Sequence, residues 1–171
     1  MDPLDPRDVM HLNVAKGWVE LHNPIEASQE LELISPAGRA HPDVLELRCE
    51  IHAKAERWEA CLDIASAIAK QDPERLLGWL QRSNALHGLN RTKEALASLL
   101  PVVRRFPDEI RVRYDLARYE CVLGNIPKAK RRLKEAYKIA NSQDCFDKWW
   151  KLAFLEPDLL PMRKVYGAYD L

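Results

Sequence analysis

Apolar residues recur along the chain at the spacing of an α-helix. Val44, Leu47 and Ile51, for example, fall at positions i, i+3 and i+7. This spacing puts the three side chains on one face of a helix. No comparable run alternates between apolar and polar residues, so the pattern predicts an all-α protein. Helices of this kind are predicted over four segments: Leu12 to Leu21, Val44 to Ala53, Leu76 to His87 and Ile110 to Val122.

Four further segments, one after each of these helices, are similar to one another. Each holds an alanine followed four positions later by a larger apolar residue, which continues the same helical face. The pairs are Ala27/Leu31, Ala60/Ile64, Ala95/Leu99 and Ala129/Leu133. A small or apolar residue follows three positions later: Ile34, Ala67, Val102 and Ala136. The alanines are 33, 35 and 34 residues apart, so paired helices repeat with a period of about 34 residues.

The breaks between the predicted helices carry start and stop signals. Asp5-Pro6 combines an N-cap residue with a proline at the first helical position. Gly124-Asn125 predicts a tight turn between the two helices of a pair, because both residues tolerate a left-handed backbone. These signals agree with the helix pairs predicted from the apolar pattern.

At these positions the sequence resembles the tetratricopeptide repeat (TPR) family, in particular its small free-standing bacterial members. The family motif has Trp, Leu, Gly and Tyr on the first helix of each pair, then Ala, an aromatic residue, Ala and Pro on the second. The third unit departs from the motif at Arg82 and Ser83, where Leu and Gly are usual. The resemblance spans roughly residues 8–141. Its best match, the third unit, keeps Trp79, Leu86, Leu89, Ala95, Leu99 and Pro107.

The resemblance implies a right-handed α-α superhelix, or TPR solenoid, of four helix pairs with a C-terminal capping helix. A single domain is expected over residues 1–156, followed by a tail at 157–171. The tail either packs back on the last helices or is mobile. The apolar face of the capping helix would cover the open end of the stack, a docking site being the alternative. The expected repeats cover about 8–40, 41–73, 74–107 and 108–141, and the capping helix about 144–156.

In this family the first helix of each pair lines the concave side, and such grooves bind peptides or helices. We therefore expect a protein-binding groove and no cofactor. The candidate groove residues are Lys16, Val19, Cys49, His52, Asn84, His87, Arg118 and Cys121.

One groove known in the family, the carboxylate clamp, grips the Glu-Glu-Val-Asp tail of a chaperone. It needs Lys and Asn on the first helix of one repeat, Asn on the next, and Lys and Arg on the third. Neither alignment of this chain supplies that set, so binding of a chaperone tail is not expected. Alignment on the second to fourth repeats places Leu45, Cys49, Gln81, Arg111 and Asp115 at those sites. Alignment one repeat earlier places Leu12, Lys16, Glu46, Leu77 and Gln81 there.

Three of the candidate groove residues could instead be interpreted as a metal site. His52, His87 and Cys121 occupy equivalent positions on successive first helices, and imidazole and thiolate suit Zn²⁺. Neighbouring helix axes lie about 8–10 Å apart, however, so one ion would not bridge three helices in a row. Small polar groove residues explain these positions more simply, and no metal is predicted.

The charges balance overall, with 26 basic and 26 acidic side chains. Residues 1–70 nevertheless have a net charge of −6 and residues 71–171 a net charge of +6. Residues 128–138 form a basic run, and its favoured interpretation is a solvated helix face. A site for an acidic protein is the second interpretation, and a nucleic-acid site is the third. No apolar stretch is long enough to span a membrane, and the start of the chain does not resemble a signal peptide. The four cysteines form no C-x-x-C pair, so a reducing cytoplasm is the expected location.

These observations predict a non-catalytic adaptor or scaffold that binds another protein. None of the sequence motifs of nucleotide, metalloprotease or hydrolase sites is present, so we do not expect an enzyme. One alternative is a secretion-type chaperone for an unfolded substrate. Another is self-assembly into homo-oligomers through the oppositely charged halves. The chaperone would require an apolar groove made by Leu12, Val19, Leu45, Leu77 and Leu80.

Overall fold

A computed structural model of the chain describes residues 3–166. All regular structure in this range is helical and no strand occurs in it, which confirms the predicted all-α class. Residues 1, 2 and 167–171, the ends of the predicted domain and tail, lie outside the described residues. The chain divides into two compact units, residues 1–89 and 90–171. The single domain at 1–156 and its four repeat boundaries stay a prediction.

The first unit contains the helices α1 (Pro6–Glu20), α2 (Pro24–Glu32), α3 (Pro42–Lys54), α4 (Trp58–Gln71) and α5 (Leu76–Gly88). Short turns join α1 to α2 and α3 to α4, and the two helices of each hairpin pack side by side. Helix α5 packs against α4, and a 3₁₀ turn at Gly38–Ala40 precedes α3. Helix α1 starts as predicted, because the Asp5 side chain accepts a hydrogen bond of 2.9 Å from the Arg7 amide.

The described part of the second unit contains α6 (Thr92–Leu99), α7 (Val102–Arg105), α8 (Ile110–Val122), α9 (Ile126–Ser142), α10 (Phe146–Leu155) and α11 (Leu160–Tyr166). Helices α8 and α9 form a hairpin, α6 packs against α8, and α10 packs on α9. A 3₁₀ turn at Pro157–Leu159 lies on α8 and leads into α11.

The turn after each first helix has the same geometry. A residue with left-handed backbone stands two positions after the helix end at His22, Glu56, Asn90 and Gly124, with φ of 59°, 54°, 60° and 80°. Successive members of this set are 34 positions apart in the sequence. Backbone bonds typical of a Schellman motif close the turns, for example Arg57 N to His52 O at 2.9 Å. The turns therefore define the repeat register.

This register corrects three predicted core positions in the second repeat. Ala60, Ile64 and Ala67 are replaced by the next residue along the chain in each case, Cys61, Ala65 and Ile68, and Ala67 is exposed. One full period after Ala27 comes Cys61, not Ala60, and Cys61 is fully buried whereas Ala60 is half-buried. Cysteine behaves as a small apolar residue in a core, so it substitutes for the expected alanine. The buried rows on the second helices are Ala27, Cys61, Ala95 and Ala129, then Leu31, Ala65, Leu99 and Leu133, then Ile34, Ile68, Val102 and Ala136.

The residues after α9 pack on the second unit. The Trp149 ring of α10 lies 5.2 Å from the ring of Tyr114, and Ala153 is fully buried. Of the alternatives for the tail, the described residues favour packing, because Leu159 and Met162 are fully buried beside Tyr114 in one apolar cluster. Helix α10 thus covers apolar surface of the α8–α9 hairpin, as a capping helix would.

Candidate protein-binding groove

A cavity of about 390 Å³ opens between the first helices of the first unit. It lies along α1 and α3 and reaches the start of α5. The lining residues are Lys16, Val19, Glu20, Asp43, Glu46, Leu47, Glu50, Leu77 and Gln81. We call this cavity the α1/α3/α5 groove.

The repeat explains why these residues meet. Lys16 and Glu50 are one repeat period apart, and so are Asp43 and Leu77. Residues one period apart occupy the same face of successive first helices. Because α3 packs beside both α1 and α5, that shared face forms one surface within the first unit.

The floor and the rim of the groove differ in chemistry. Val19 and Leu47 form an apolar floor and are almost completely buried, while Leu77 is 38% exposed at one side. The rim carries four carboxylates, from Glu20, Asp43, Glu46 and Glu50, and the ammonium group of Lys16. The groove therefore offers apolar contact below and charge recognition at the edge.

Two cations beside the groove offset part of the acidic charge. Arg75 donates hydrogen bonds to Glu46 and Asp43, one of them 3.1 Å long from Nη2 to Glu46 Oε2. The hydrogen bond with Glu46, aided by Asp43, raises the pKa of Arg75. Lys54 Nζ lies 3.2 Å from Glu50 Oε1. With these two and Lys16 counted, four carboxylates face three cations, and the groove keeps an excess of negative charge.

This charge argues further against a carboxylate clamp. Four of the residues aligned with the clamp, Lys16, Glu46, Leu77 and Gln81, do line the groove. One of them, Glu46, is itself a carboxylate, and the carboxylate of Glu50 lines the groove as well. A chain-terminal carboxylate entering here would meet charges of its own sign, which costs free energy.

Two of the predicted groove residues, Lys16 and Val19, line the groove, and a third, Cys49, does not. Cys49 is fully buried, and its sulfur lies 2.7 Å from the sulfur of Cys61 on α4. The hydrogen bond between the two thiols, aided by burial, raises the pKa of Cys49. At this level of α3 the groove is lined by Glu50, one residue further on.

His52, Asn84 and His87 are half-buried and are not among the lining residues. Burial and, to a lesser degree, the nearby Arg57 lower the pKa of His52. Within residues 3–166 no group of three or more His, Cys, Asp or Glu side chains is arranged to hold a metal ion. The binding roles assigned to these three residues stay predictions.

Arg118 and Cys121, the last two predicted groove residues, lie together on α8 in the second unit. Cys121 is 2% exposed and Arg118 is largely shielded. Both are covered by the segment from Glu156 to Tyr166, which we call the C-terminal segment. Their face of α8 is therefore occupied by the chain itself.

The groove residues that the sequence-based prediction left out include four acidic ones: Glu20, Asp43, Glu46 and Glu50. Cys49 and His52 lie 33 positions after Lys16 and Val19, one residue short of the repeat period of 34. A period of 34 counted from Lys16 leads to Glu50, as the turns at His22 and Glu56 would have indicated. The structure reveals this turn spacing, whereas the residue types of His22 and Glu56 do not mark a turn in the sequence.

Solved structures with a similar fold include a TPR protein. A thermophilic TPR protein of Thermus thermophilus (TTC0263) is 16% identical with a TM-score of 0.69, over 96% of this chain and 100% of that one. MamA 41-end from Desulfovibrio magneticus RS-1 is 14% identical with a TM-score of 0.67, over 99% of this chain and 100% of that one. The chain therefore has the TPR fold, and the resemblance found in the sequence is confirmed at the level of fold.

The other comparisons add nothing to the fold. No protein-family profile matches the chain, and no curated protein matches it. No helix among residues 3–166 combines the length and the apolar character needed to cross a bilayer.

Proposed function

We propose that this protein is a non-catalytic interaction scaffold whose α1/α3/α5 groove binds a protein segment carrying a basic residue beside an apolar one. The observation that carries the proposal is the groove itself, with an apolar floor at Val19 and Leu47 and a carboxylate rim. The basic residue would lie between Glu20 and Glu50, and the apolar neighbour would contact the floor and Leu77. This proposal extends the predicted peptide-binding adaptor by naming the chemistry of the peptide.

The charge of the whole first unit supports a basic partner. Residues 1–89 contain 15 acidic and 9 basic side chains, a net charge of −6. A field of this sign attracts a cationic segment before contact and raises its association rate, most strongly at low salt. Binding should therefore weaken as salt rises, since the Debye length falls to about 8 Å at physiological ionic strength.

The apolar residues that the chaperone hypothesis requires are mostly buried, which argues against it. Leu12 and Val19 belong to the apolar core of the first unit and are each 4% exposed, so they offer little surface to an unfolded chain. Leu45 and Leu80 are half-buried, and only Leu77 of the five residues is well exposed. A small apolar floor suits one or two side chains of a specific segment better than an extended unfolded substrate.

The proposal is tested by selecting binding peptides from a displayed random library on the wild-type protein. Peptides with Lys or Arg next to a large apolar residue should be enriched. The double variant Glu20→Lys/Glu50→Lys should bind the selected peptides roughly tenfold more weakly or worse, because it replaces attraction with repulsion. Fluorescence anisotropy with one labelled peptide measures both affinities.

The matched control is Glu59→Lys/Asp63→Lys, which changes the net charge by the same amount on the exposed side of α4. It should leave the affinity within about twofold at 0.15 M salt, because exposed charges on a distant face are largely screened. Equal loss in both double variants would mean that only the overall field matters. Enrichment of acidic peptides, or of none, would reject a basic ligand.

Self-assembly remains a second candidate because the charge division follows the two units. Residues 90–171 contain 17 basic and 11 acidic side chains, a net charge of +6. Exposed cations on α9, among them Lys128, Arg131 and Lys134, would face the acidic unit of a second copy. Light scattering should then show oligomers at 20 mM salt that dissociate at 0.5 M; a monomer at both would exclude this candidate.

The proposed setting is a reducing cytoplasm. All four cysteines are free thiols, and Cys49, Cys61 and Cys121 are buried without a disulfide. This agrees with a protein that folds without oxidative cross-links. Neither a nucleic-acid partner nor a membrane forms part of the proposal.

A further inference from the structure

The same repeat positions are open in the first unit and covered in the second. Glu46 and Glu50 on α3 line the open α1/α3/α5 groove. Two repeat periods later stand Tyr114 and Arg118 on α8. There the equivalent face is covered by the C-terminal segment, residues 156–166. In the second unit the groove face therefore already holds a peptide, and that peptide belongs to the chain.

The polar half of this contact is centred on Arg118. Its Nε lies 3.1 Å from Glu156 Oε2, and its Nη2 lies 2.8 Å from Asp158 Oδ2. Asp115, on the same helix, holds the guanidinium from the other side at 3.2 Å. Tyr114 donates a hydrogen bond of 3.3 Å to Glu156. Two carboxylates of the C-terminal segment are thus recognised by an arginine and a tyrosine of α8.

The apolar half comes from two side chains of the same segment. Leu159 and Met162 are fully buried in one cluster with Tyr114 and Ala117 of α8. The opposite side of the segment remains outside, with Leu160 45% and Val165 63% exposed. The segment also contacts the neighbouring helices, since Lys130 of α9 lies 3.7 Å from the centre of the Tyr166 ring and Arg163 lies 5.6 Å from that of Phe154 on α10.

The short elements of the segment favour local opening. It consists of a three-residue 3₁₀ turn and the seven-residue α11, both beginning at a proline or directly before one. Helices this short have little stability of their own. Elements with so little stability of their own are the ones that open locally while the rest of a domain stays folded.

We propose that the α8 face is a second protein-binding site, occupied at rest by residues 156–166. Its external ligand is a protein segment of the same chemistry: two carboxylates two positions apart, a leucine directly after the second, and another apolar residue three positions later. This ligand displaces the C-terminal segment from Arg118. The site is independent of the α1/α3/α5 groove and takes an acidic segment where that groove takes a basic one.

The test uses a fluorescent peptide with the sequence of residues 156–166, EPDLLPMRKVY, and the full-length chain. In the variant Leu159→Ser/Met162→Ser the chain's own segment no longer competes. Anisotropy should show the peptide binding this variant at least tenfold more tightly than the wild type, because a tethered competitor acts at an effective concentration of about 1 mM. A peptide with Gln and Asn in place of its two carboxylates should bind at least tenfold more weakly.

Arg118→Gln in the same background should abolish binding of the peptide. The matched control is Arg113→Gln, since Arg113 on α8 is equally shielded, 13% against 12%, but pairs with Glu135 at 3.9 Å and not with the segment. The proposal is overturned if the variant with the two serines keeps the helicity of the wild type and binds no peptide. It is also overturned if both arginine variants bind alike.

Hydrogen exchange on the wild type covers the case in which the two serines prevent folding. Amides of residues 156–166 should exchange at least tenfold faster than those of α8, and excess unlabelled peptide should accelerate them further by displacing the segment. Unchanged exchange at saturating peptide would show that the segment is a permanent part of the fold and would end the proposal. Glu20→Lys/Glu50→Lys should leave all these results unaltered, which separates this site from the groove of the first unit.

Discussion

Arg118 and Asp158 are forty positions apart in the sequence and joined by two hydrogen bonds in the structure. Nε and Nη2 of the guanidinium donate to one carboxylate oxygen, Asp158 Oδ2, at 3.0 and 2.8 Å. Burial disfavours the charged form of Arg118, but Asp115, Glu156 and Asp158 outweigh it and raise its pKa. The pair thus fastens the C-terminal segment to α8 through a charge that remains ionised.

Asp158→Asn should loosen the C-terminal segment alone. The substitution replaces charge-assisted hydrogen bonds to Arg118 with weaker neutral ones. Hydrogen exchange of residues 156–166 should become roughly 10–100 times faster, while α9 exchanges as before. Faster exchange throughout the second unit would instead show that the pair supports the whole hairpin.

The repeat register can be tested with two substitutions one residue apart. Cys61→Leu adds volume at a fully buried position and should lower the free energy of unfolding by about 1–3 kcal/mol. Ala60→Leu, at a half-buried position, should change it by less than about 0.5 kcal/mol. Urea denaturation followed by circular dichroism measures both. The reverse order would support the register inferred from the alanine spacing.

Gly88 and Gly17 provide a second matched pair. A Cβ atom on Gly88 would overlap the ring of Trp58, so Gly88→Ala should destabilise the protein by about 1–3 kcal/mol. A Cβ atom on Gly17 meets nothing within 4 Å, and alanine suits a helix interior better than glycine. Gly17→Ala should therefore stabilise the protein by about 0.5–1 kcal/mol. Denaturation midpoints of the two variants should move in opposite directions.

Asp8 should make stability depend on pH in the acid range. Its side chain accepts hydrogen bonds from the Ser35 hydroxyl at 2.6 Å and the Ser35 amide at 2.8 Å, which lower the pKa of Asp8 below its ordinary value of 3.8. The folded state therefore prefers the ionised form, and this contribution is present above pH 3.8 and lost as pH falls through the lower folded pKa.

The measurement compares denaturation midpoints of the wild type and Asp8→Asn between pH 7 and pH 2.5. The wild type should be the more stable protein above pH 4, and the difference should shrink as the pH falls below 3.8. When Ser35→Ala is introduced into both proteins, the difference in stability between them should become smaller but should not vanish. The reason is that the backbone amide of residue 35 still donates a hydrogen bond to Asp8. A difference that is constant with pH would show that the ionisation of Asp8 plays no part.

Helix positions and the turn at Gly124 were predictable because they depend on neighbours in the sequence. The segment from Ile110 to Val122 coincides with α8, and Gly124 has the left-handed backbone expected of a glycine at a turn. His22 and Glu56 adopt the same backbone although their residue types do not favour it. The repeat forces that conformation on them, and their local sequence contains no sign of it.

Apolar spacing and turn residues are local properties, and they were enough to establish an all-helical chain of repeated helix pairs. Packing between helices was needed to establish that Cys61 and Glu50, rather than Ala60 and Cys49, occupy the core and the groove. A shift of one residue turns a helical side chain by about 100°, and the alanine spacing alone could not exclude such a shift. Packing also brings the C-terminal segment onto Arg118, since contacts between residues forty positions apart arise only when the folded helices bring them together.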